Sequence, residues 1–224
     1  ISALTLCMPL MNISAAFGAM VGVGAASLMS IKLGQHDRSS AKDILGNVVM
    51  LNSILGLSFG IICLIFLDPI LYSFGASDAT IGYAREYMSI ILIGNVFTHL
   101  YLGLNNLMRA SGAPRKSMTY MLVAVFGNVI LDALFIFGFG WGIAGAAWAT
   151  VLAQVAAMIL EIIYFSNKKN EIHFVKGIIR LKKNIVKGIL SIGMAPFLLN
   201  ISSSVRVIFI NNALMATGGA NGAI

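Results

Sequence analysis

Charge is scarce in this sequence. Only 10% of its 224 residues are Asp, Glu, Lys or Arg, against roughly 25% in soluble domains. Apolar residues make up 58% of the chain, and its mean hydropathy is +0.91. This composition excludes an ordinary soluble domain and predicts an integral membrane protein.

Cysteine is nearly absent as well. Cys7 and Cys63 both lie in apolar runs, and no Cys or His spacing in the sequence is typical of a zinc site. We therefore expect two small buried thiols and neither a disulfide nor a metal centre. The apolar runs also lack HExxH, GxSxG and paired-acid motifs, so the sequence predicts that the protein is not an enzyme.

Apolar runs long enough to cross about 30 Å of hydrocarbon recur along the whole chain. The fourth and fifth runs share the segment 117–160, and the glycine-rich sequence GFGWG predicts the break between them. We expect the chain to be a fragment, with residues 218–224 forming a loop that leads towards a further span. The six predicted spans lie within 1–31, 44–67, 87–108, 117–138, 142–160 and 188–215.

Thirteen of the fifteen Lys and Arg residues fall in the segments 32–42, 109–116 and 168–187. These segments alternate with connections that are poor in positive charge, which is the positive-inside pattern of a multi-pass protein. We therefore expect a plasma membrane (bacterial inner membrane) protein with loops 32–43, 109–116 and 166–187 in the cytoplasm. The last loop alternates apolar and basic residues, which predicts an amphipathic helix on the inner membrane face. Nucleic acid is not an expected partner, because the basic residues form no single footprint.

Asp132 is the only charged residue in the 44 residues from Ser117 to Leu160. A charged side chain at mid-bilayer depth costs about 2.5–3.5 kcal/mol on insertion scales, so such residues usually have a function. Asn128 precedes Asp132 by one helical turn and shares its helix face. A carboxylate and an amide oxygen are most of a hard-cation site. The pair predicts a Na⁺ or H⁺ site, with an Asp retained for packing as the alternative.

Three other polar residues within or beside the spans have simpler interpretations. We expect His99 to be a neutral, hydrogen-bonded structural residue, although it could also relay protons. We expect Glu161 to form an interfacial ion pair with Lys168 or Lys169. Arg206 could extend to the outer interface or pair with an acid on another helix.

Glycines recur at helical spacing in several apolar runs. The pairs Gly18/Gly22 and Gly56/Gly60 predict close packing between helices of this chain, with a dimer face as the alternative. The sequence around Gly140 also fits the dinucleotide-binding pattern GxGxxG. That pattern requires a preceding strand in a βαβ unit, whereas here it joins two membrane-length segments. It therefore predicts a tight turn and close helix approach.

Five segments that follow one another along nearly the whole chain resemble the multidrug and toxic compound extrusion (MATE) family. The resemblance implies an all-α protein of twelve transmembrane helices in two six-helix lobes, of which this chain would supply the second to seventh helices. Residues 1–165 would form most of the first lobe, 166–187 the inter-lobe linker, and 188–224 the start of the second lobe. The five segments are GVGAASLMSIKLGQHDRSSA (22–41), GASDATIGYAREYM (75–88), LMRASGAPRKSM (107–118), NVILDALFIFGFGWGIAGAAWATVLAQ (128–154) and GILSIGMAPFLLN (188–200).

The resemblance also implies a function. It predicts a secondary antiporter, acting as a full-length monomer in the lipid bilayer, that exports amphipathic or cationic small molecules in exchange for Na⁺ or H⁺. No cofactor other than this coupling ion is implied. A flippase for lipid-linked oligosaccharides, from the same superfamily, is the nearest alternative, but it would be expected to line its cavity with several charged residues. A channel or purely structural bundle is a further alternative.

The resemblance further implies residue roles. Asn128, Asp132 and Thr150 would bind the coupling ion, and no other metal site is implied. A partner carboxylate would belong to the family's first helix, which is absent from this sequence. The residues expected to line the substrate cavity are Asn105, Asn106, Tyr101 and Met121.

Overall fold

The computed structural model describes residues 2–74, 76, 78, 80–175, 177, 178 and 180–218, and their regular structure is helical throughout. A six-residue π-helical segment, Ala133–Gly138, continues the fifth helix beyond its α-helical part. The predicted loop 218–224 is described only at Gly218, the last residue of the final helix. The helices are α1 (Ser2–Gly34), α2 (Arg38–Ile65), α3 (Leu67–Ser73), α4 (Ile81–Ala110), α5 (Pro114–Asp132), α6 (Gly142–Ser166) and α7 (Lys183–Gly218).

Six helices in the described part of the chain are long and apolar enough to cross a membrane, which confirms the predicted all-α membrane fold. The exception is α3, a short helix in the connection between α2 and α4 that the sequence analysis did not predict. Large apolar side chains such as Phe137, Leu199 and Phe209 are exposed on the outside of the bundle. In a membrane these side chains would face lipid, because a bilayer reverses the usual cost of apolar exposure.

The connections between helices follow local backbone rules. Asp37 is the N-cap residue of α2, and its Oδ1 accepts a hydrogen bond from the Ser40 N–H at 3.0 Å. This hydrogen bonding with Ser40 lowers the pKa of the Asp37 carboxyl. Between α5 and α6, Gly140 and Gly142 have positive φ angles of 69° and 55°, a region that glycine enters without steric cost. The predicted break in the GFGWG sequence is therefore confirmed.

The centre of the bundle is α4, which packs against α1, α2 and α6. Glycines allow the close approach: a Cβ atom added to Gly56 would lie 2.8 Å from Val96 Cα, and one added to Gly60 would lie 2.8 Å from Leu92 O. A Cβ on Gly22 would lie 2.8 Å from Asn106 Nδ2. The predicted packing of these glycines within the chain is confirmed.

The polar segment between α6 and α7 does not form the predicted amphipathic helix. Residues 167–182, where described, are turns, bends and irregular backbone. Gly177 has a φ of 80°, which a right-handed helix cannot contain. Ile172 and Ile178 are buried, and the Lys182 N–H donates to Asn47 Oδ1 on α2 at 2.8 Å. The segment thus exchanges its own helical hydrogen bonds for contacts with α2.

We call one end of the bundle the basic end; it contains residues 32–43, 109–116 and 167–182. Ion pairs hold the first and last of these segments together: Arg38 with Glu171 at 2.7 Å, and Lys182 with Asp43 at 2.5 Å. The chain reverses direction at each span, so the α2–α4 and α5–α6 connections lie at the opposite end.

The contact between α1 and α7 can be tested with one methyl group. A Cβ on Gly24 would overlap the Ile189 carbonyl oxygen and lie 2.9 Å from Gly193 N. We expect Gly24→Ala to separate the two helices and lower the free energy of unfolding by about 1–3 kcal/mol, seen as a lower melting temperature in detergent by circular dichroism. The control is Gly82→Ala, where no atom lies within 4 Å. Equal melting temperatures of the two variants would contradict this packing.

Candidate functional site

Two of the three residues predicted to bind the coupling ion, Asn128 and Thr150, meet between α5 and α6. Asn128 lies on α5 one turn before Asp132, and its Nδ2 donates to Thr150 Oγ1 on α6 at 3.3 Å. The Thr150 hydroxyl in turn donates to the Ala146 carbonyl at 3.0 Å. Thr150 Oγ1 therefore accepts a hydrogen bond from Asn128 while its own proton is donated to the Ala146 carbonyl.

Asp132 lies where the α-helical part of α5 ends and the π-helical segment begins. Its Oδ1 is buried and has no hydrogen-bond partner. Within the described part of the chain, no Lys, Arg or His forms an ion pair with it. π-Helical insertions occur frequently at functional sites, and no direct signal in the sequence predicts this one.

The oxygen atoms of this cluster fit a small hard cation. Carboxylate, amide and hydroxyl oxygens are the ligands that such cations prefer. Asp132 supplies the only formal charge of the cluster, and its unpartnered Oδ1 is a position that a cation or a proton can satisfy. In the described residues no group of three or more His, Cys, Asp or Glu side chains is placed to hold a transition metal.

Thr150 also lines a cavity of about 220 Å³ between α1, α4 and α6. Most of its surface is apolar, with a small number of polar groups, which is typical of a small-molecule site. The lining residues are Leu10, Met11, Asn12, Ser14, Ala15, Met88, Ile91, Leu92, Asn95, Thr98, His99, Leu102, Thr150 and Gln154.

A hydrogen-bond network forms one wall of this cavity. The Ser14 hydroxyl donates to Asn95 Oδ1 at 2.6 Å, and Asn95 Nδ2 donates to the Gly56 carbonyl at 3.1 Å. Because Ser14 has a single proton, its Oγ must accept from His99 Nε2 at 3.0 Å. The network therefore assigns the His99 proton to Nε2, which fits the neutral, hydrogen-bonded residue expected from sequence.

Sequence reasoning missed most of the polar side chains of the cavity. Thr98 Oγ1 donates to Gln154 Oε1 at 2.5 Å, which joins α4 to α6 beside the Ser14 network. The spacing of the polar residues of the cavity was an available signal in the sequence. Asn95 and His99 are four residues apart, and so are Thr150 and Gln154. Polar residues at that spacing share one helix face.

The four residues predicted to line the substrate cavity do not line this one. Asn105 is buried on α4, where its Nδ2 donates to Glu161 Oε1 at 2.8 Å. Asn106 contacts its own helix and Arg109. Tyr101 is buried in the core, and Met121 is 43% exposed on the outside of α5.

The predicted interfacial ion pair of Glu161 is wrong. The Glu161 side chain is 0% exposed and points towards α4, with Asn105 as its hydrogen-bond partner. Lys168 and Lys169 lie beyond the end of α6, in the turn that follows it. Rotation about the helix, which a linear sequence does not display, sets this orientation.

Arg206 on α7 is exposed.

Comparison with known proteins shows the family of this chain. A family model described as MatE matches residues 1–134, more than half of the chain. The chain is 33% identical over 201 residues to the multidrug export protein MepA of Staphylococcus aureus (strain NCTC 8325 / PS 47), covering 90% of this chain and 45% of that protein. It is 31% identical over 218 residues to MepA of Staphylococcus saprophyticus, covering 97% and 48%.

A solved structure shares the fold. It is described as the inward-facing conformation of a multidrug resistance MATE family transporter of the MOP superfamily. The two chains superpose with a TM-score of 0.92 at 27% identity, over 99% of this chain and 51% of the other. This chain thus spans about half the length of the relatives it matches. The family match and the shared helical architecture together establish that the chain belongs to the MatE family.

Proposed function

We propose that this chain is part of a secondary antiporter that exports small amphipathic or cationic compounds, with Asp132 binding the coupling ion. The observation that carries the proposal is a buried carboxylate oxygen without a partner, beside Asn128 and Thr150 and among membrane-spanning helices. The relatives named as multidrug export proteins support a drug substrate. Only the full-length protein would have a complete transport pathway.

The physics of a buried charge suggests how this site would work. Asp132 without a cation is an uncompensated charge at low dielectric, which is unfavourable. Binding of Na⁺ or H⁺ removes that penalty and favours a closed arrangement of the helices around the site. Release on the other side of the membrane restores the charge, and a cationic substrate can then occupy the same electrostatic environment. In alternating access the two lobes would rock about this central region.

The chemistry of the described lobe favours export of drugs over lipid-linked oligosaccharide flipping. A flippase for a charged headgroup would be expected to show several charged residues in its cavity. The cavity described here is lined by apolar and neutral polar side chains. A mostly apolar wall with hydrogen-bonding groups suits varied amphipathic compounds.

Asp132→Asn tests the central role. In the full-length protein, we expect this variant to insert and fold but to lose ion-driven efflux down to the level of protein-free liposomes, because an amide has neither the negative charge that holds Na⁺ nor a site that takes up and releases H⁺ near neutral pH. The measurement is efflux of a fluorescent cation from proteoliposomes, with Na⁺ and pH gradients imposed separately. Glu86→Gln, at an exposed carboxylate on α4, is the control. Full ion-driven efflux by Asp132→Asn would overturn the proposal.

Thr150→Val distinguishes the two coupling ions. If Na⁺ binds here, loss of one oxygen ligand should raise the Na⁺ concentration for half-maximal efflux roughly tenfold, equivalent to about 1.4 kcal/mol. If H⁺ is the coupling ion, efflux should change less than about twofold, because a proton requires only the carboxylate. Thr119→Val is the matched control, since Thr119 makes the same hydrogen bond to a backbone carbonyl four residues earlier. Equal effects at both positions would exclude a specific role for Thr150.

The membrane orientation can be tested by labelling. We expect a cysteine at Ser39, at the basic end, to react only with a thiol reagent applied from the cytoplasm. A cysteine at Asp78, at the opposite end, should react only from outside. Both sites are exposed, and the buried Cys7 and Cys63 would first be replaced by alanine. The reverse labelling pattern would show that the basic end faces outward.

A further inference from the structure

A second buried carboxylate lies near the basic end of the bundle. Glu161 on α6 is 0% exposed, and its Oε1 accepts a hydrogen bond from Asn105 Nδ2 on α4 at 2.8 Å. Its Oε2 is buried and has no hydrogen-bond partner. The proposed transport site does not use this group.

The cluster around Glu161 joins three helices. Asn105 Nδ2 also donates to the Ser117 carbonyl at 3.2 Å, and the Ser117 hydroxyl donates to Asn105 Oδ1 at 2.9 Å. Ser117 lies in the first turn of α5 and is 1% exposed. The first turn of α5 is therefore held to α4 through the Asn105 amide, which also donates to Glu161.

No Lys, Arg or His in the described part of the chain forms an ion pair with Glu161. Lys116 instead places its Nζ 5.0 Å from the centre of the Tyr164 ring. Near this end of the bundle, the titratable and charged side chains of the three helices include Tyr101 and Arg109 on α4, Arg115, Lys116 and Tyr120 on α5, and Tyr164 on α6, and of these Tyr101 interacts electrostatically with Glu161.

A fully buried carboxylate without a counter-ion is not stable as an anion. The cost of desolvating an isolated charge is so large that such a group takes up a proton instead. One amide donor on Oε1 compensates only part of that cost, because hydrogen bonds to charged groups contribute about 1.5–3 kcal/mol each. The unpartnered Oε2 is the atom that can carry the proton without losing an existing hydrogen bond.

We propose that Glu161 is a second, reversible proton-binding site. It is protonated while the first turn of α5 packs against Asn105, and it releases its proton to water at the basic end when that turn separates from α4. In the protonated state the O–H bond forms on Oε2 and the carboxyl group is neutral. On release that bond breaks, the electron pair stays on the carboxylate, and water that enters from the basic end hydrates it.

This site is separate from the one at Asp132. Thr150 and Glu161 are eleven positions apart on α6, or about 16 Å along the helix axis. Ser117 and Asp132 lie at opposite ends of α5. The inference does not rest on the proposed antiport, because protonation of Glu161 can be measured without substrate or gradient.

Difference infrared spectroscopy on the full-length protein in lipid tests the proposal. We expect the carbonyl band of a protonated carboxylic acid at neutral pH, which Glu161→Gln removes and which Asp132→Asn and Glu86→Gln retain. Glu161→Asp, which keeps the acid if the Gln variant fails to fold, should shift the band in frequency. Asn105→Ala should shift it too, because the hydrogen bond to Oε1 is lost.

Two results would overturn the proposal. If Glu161→Gln and Glu161→Asp both leave the acid band unchanged, Glu161 is ionised and a cation compensates it. If the Glu161 band persists at every pH at which the protein stays folded, the acid is permanently protonated and no proton is exchanged. Loss of the band with rising pH and its return on acidification would support the reversible site. Failure of Asp132→Asn to abolish efflux would leave this result unaffected.

Discussion

Lipid offers no hydrogen-bond partner, and this constraint governs most polar side chains within the spans. A helix satisfies its own backbone, but its polar side chains must find partners on a neighbouring helix or on a carbonyl of their own helix. The contacts of α4 follow this rule: Asn95 bonds to Ser14 on α1 and to the Gly56 carbonyl on α2, while Thr98 bonds to Gln154 on α6. Glycines such as Gly56 let the helices approach closely enough for these short side chains to meet. Close helix packing and the hydrogen bonding of polar side chains therefore depend on each other in this bundle.

Two carboxylates, Asp132 and Glu161, are among the exceptions to that rule, and each has a buried oxygen without a hydrogen-bond partner. Asp132 lies towards the end of the bundle opposite the basic segments, and Glu161 lies near the basic end. A protein that kept acids only for packing would satisfy both oxygens, because an unsatisfied buried polar group destabilises the fold. Each acid has neutral amide or hydroxyl neighbours, so its charge can change without disturbing an ion pair.

The sequence predicted the parts of the fold that depend on local composition. Apolar length defined the six spans, and the glycines of GFGWG defined the turn between α5 and α6. Residues at helical spacing were also predictable, since Asn128 and Asp132 share a face through their four-residue separation. The amphipathic helix predicted in 171–187 forms only from Lys183 onward, as the start of α7, because periodicity does not record a competing partner. There, Asn47 on α2 accepts the Lys182 N–H, Ile172 and Ile178 bury against the bundle, and Gly177 interrupts helical backbone.

The sequence by itself determined that the chain spans a membrane, where its six long helices begin and end to within about six residues, and that Asp132 has no charged neighbour nearby along the chain. Hydropathy, turn residues and charge distribution are local properties, so they can be read without a structure. Only the tertiary structure decided that Asn128 meets Thr150 and that Glu161 points inward. It also decided that Asn105 donates a hydrogen bond to Glu161 and does not line the described cavity. Those facts depend on the rotation and approach of whole helices, which contacts between distant residues set.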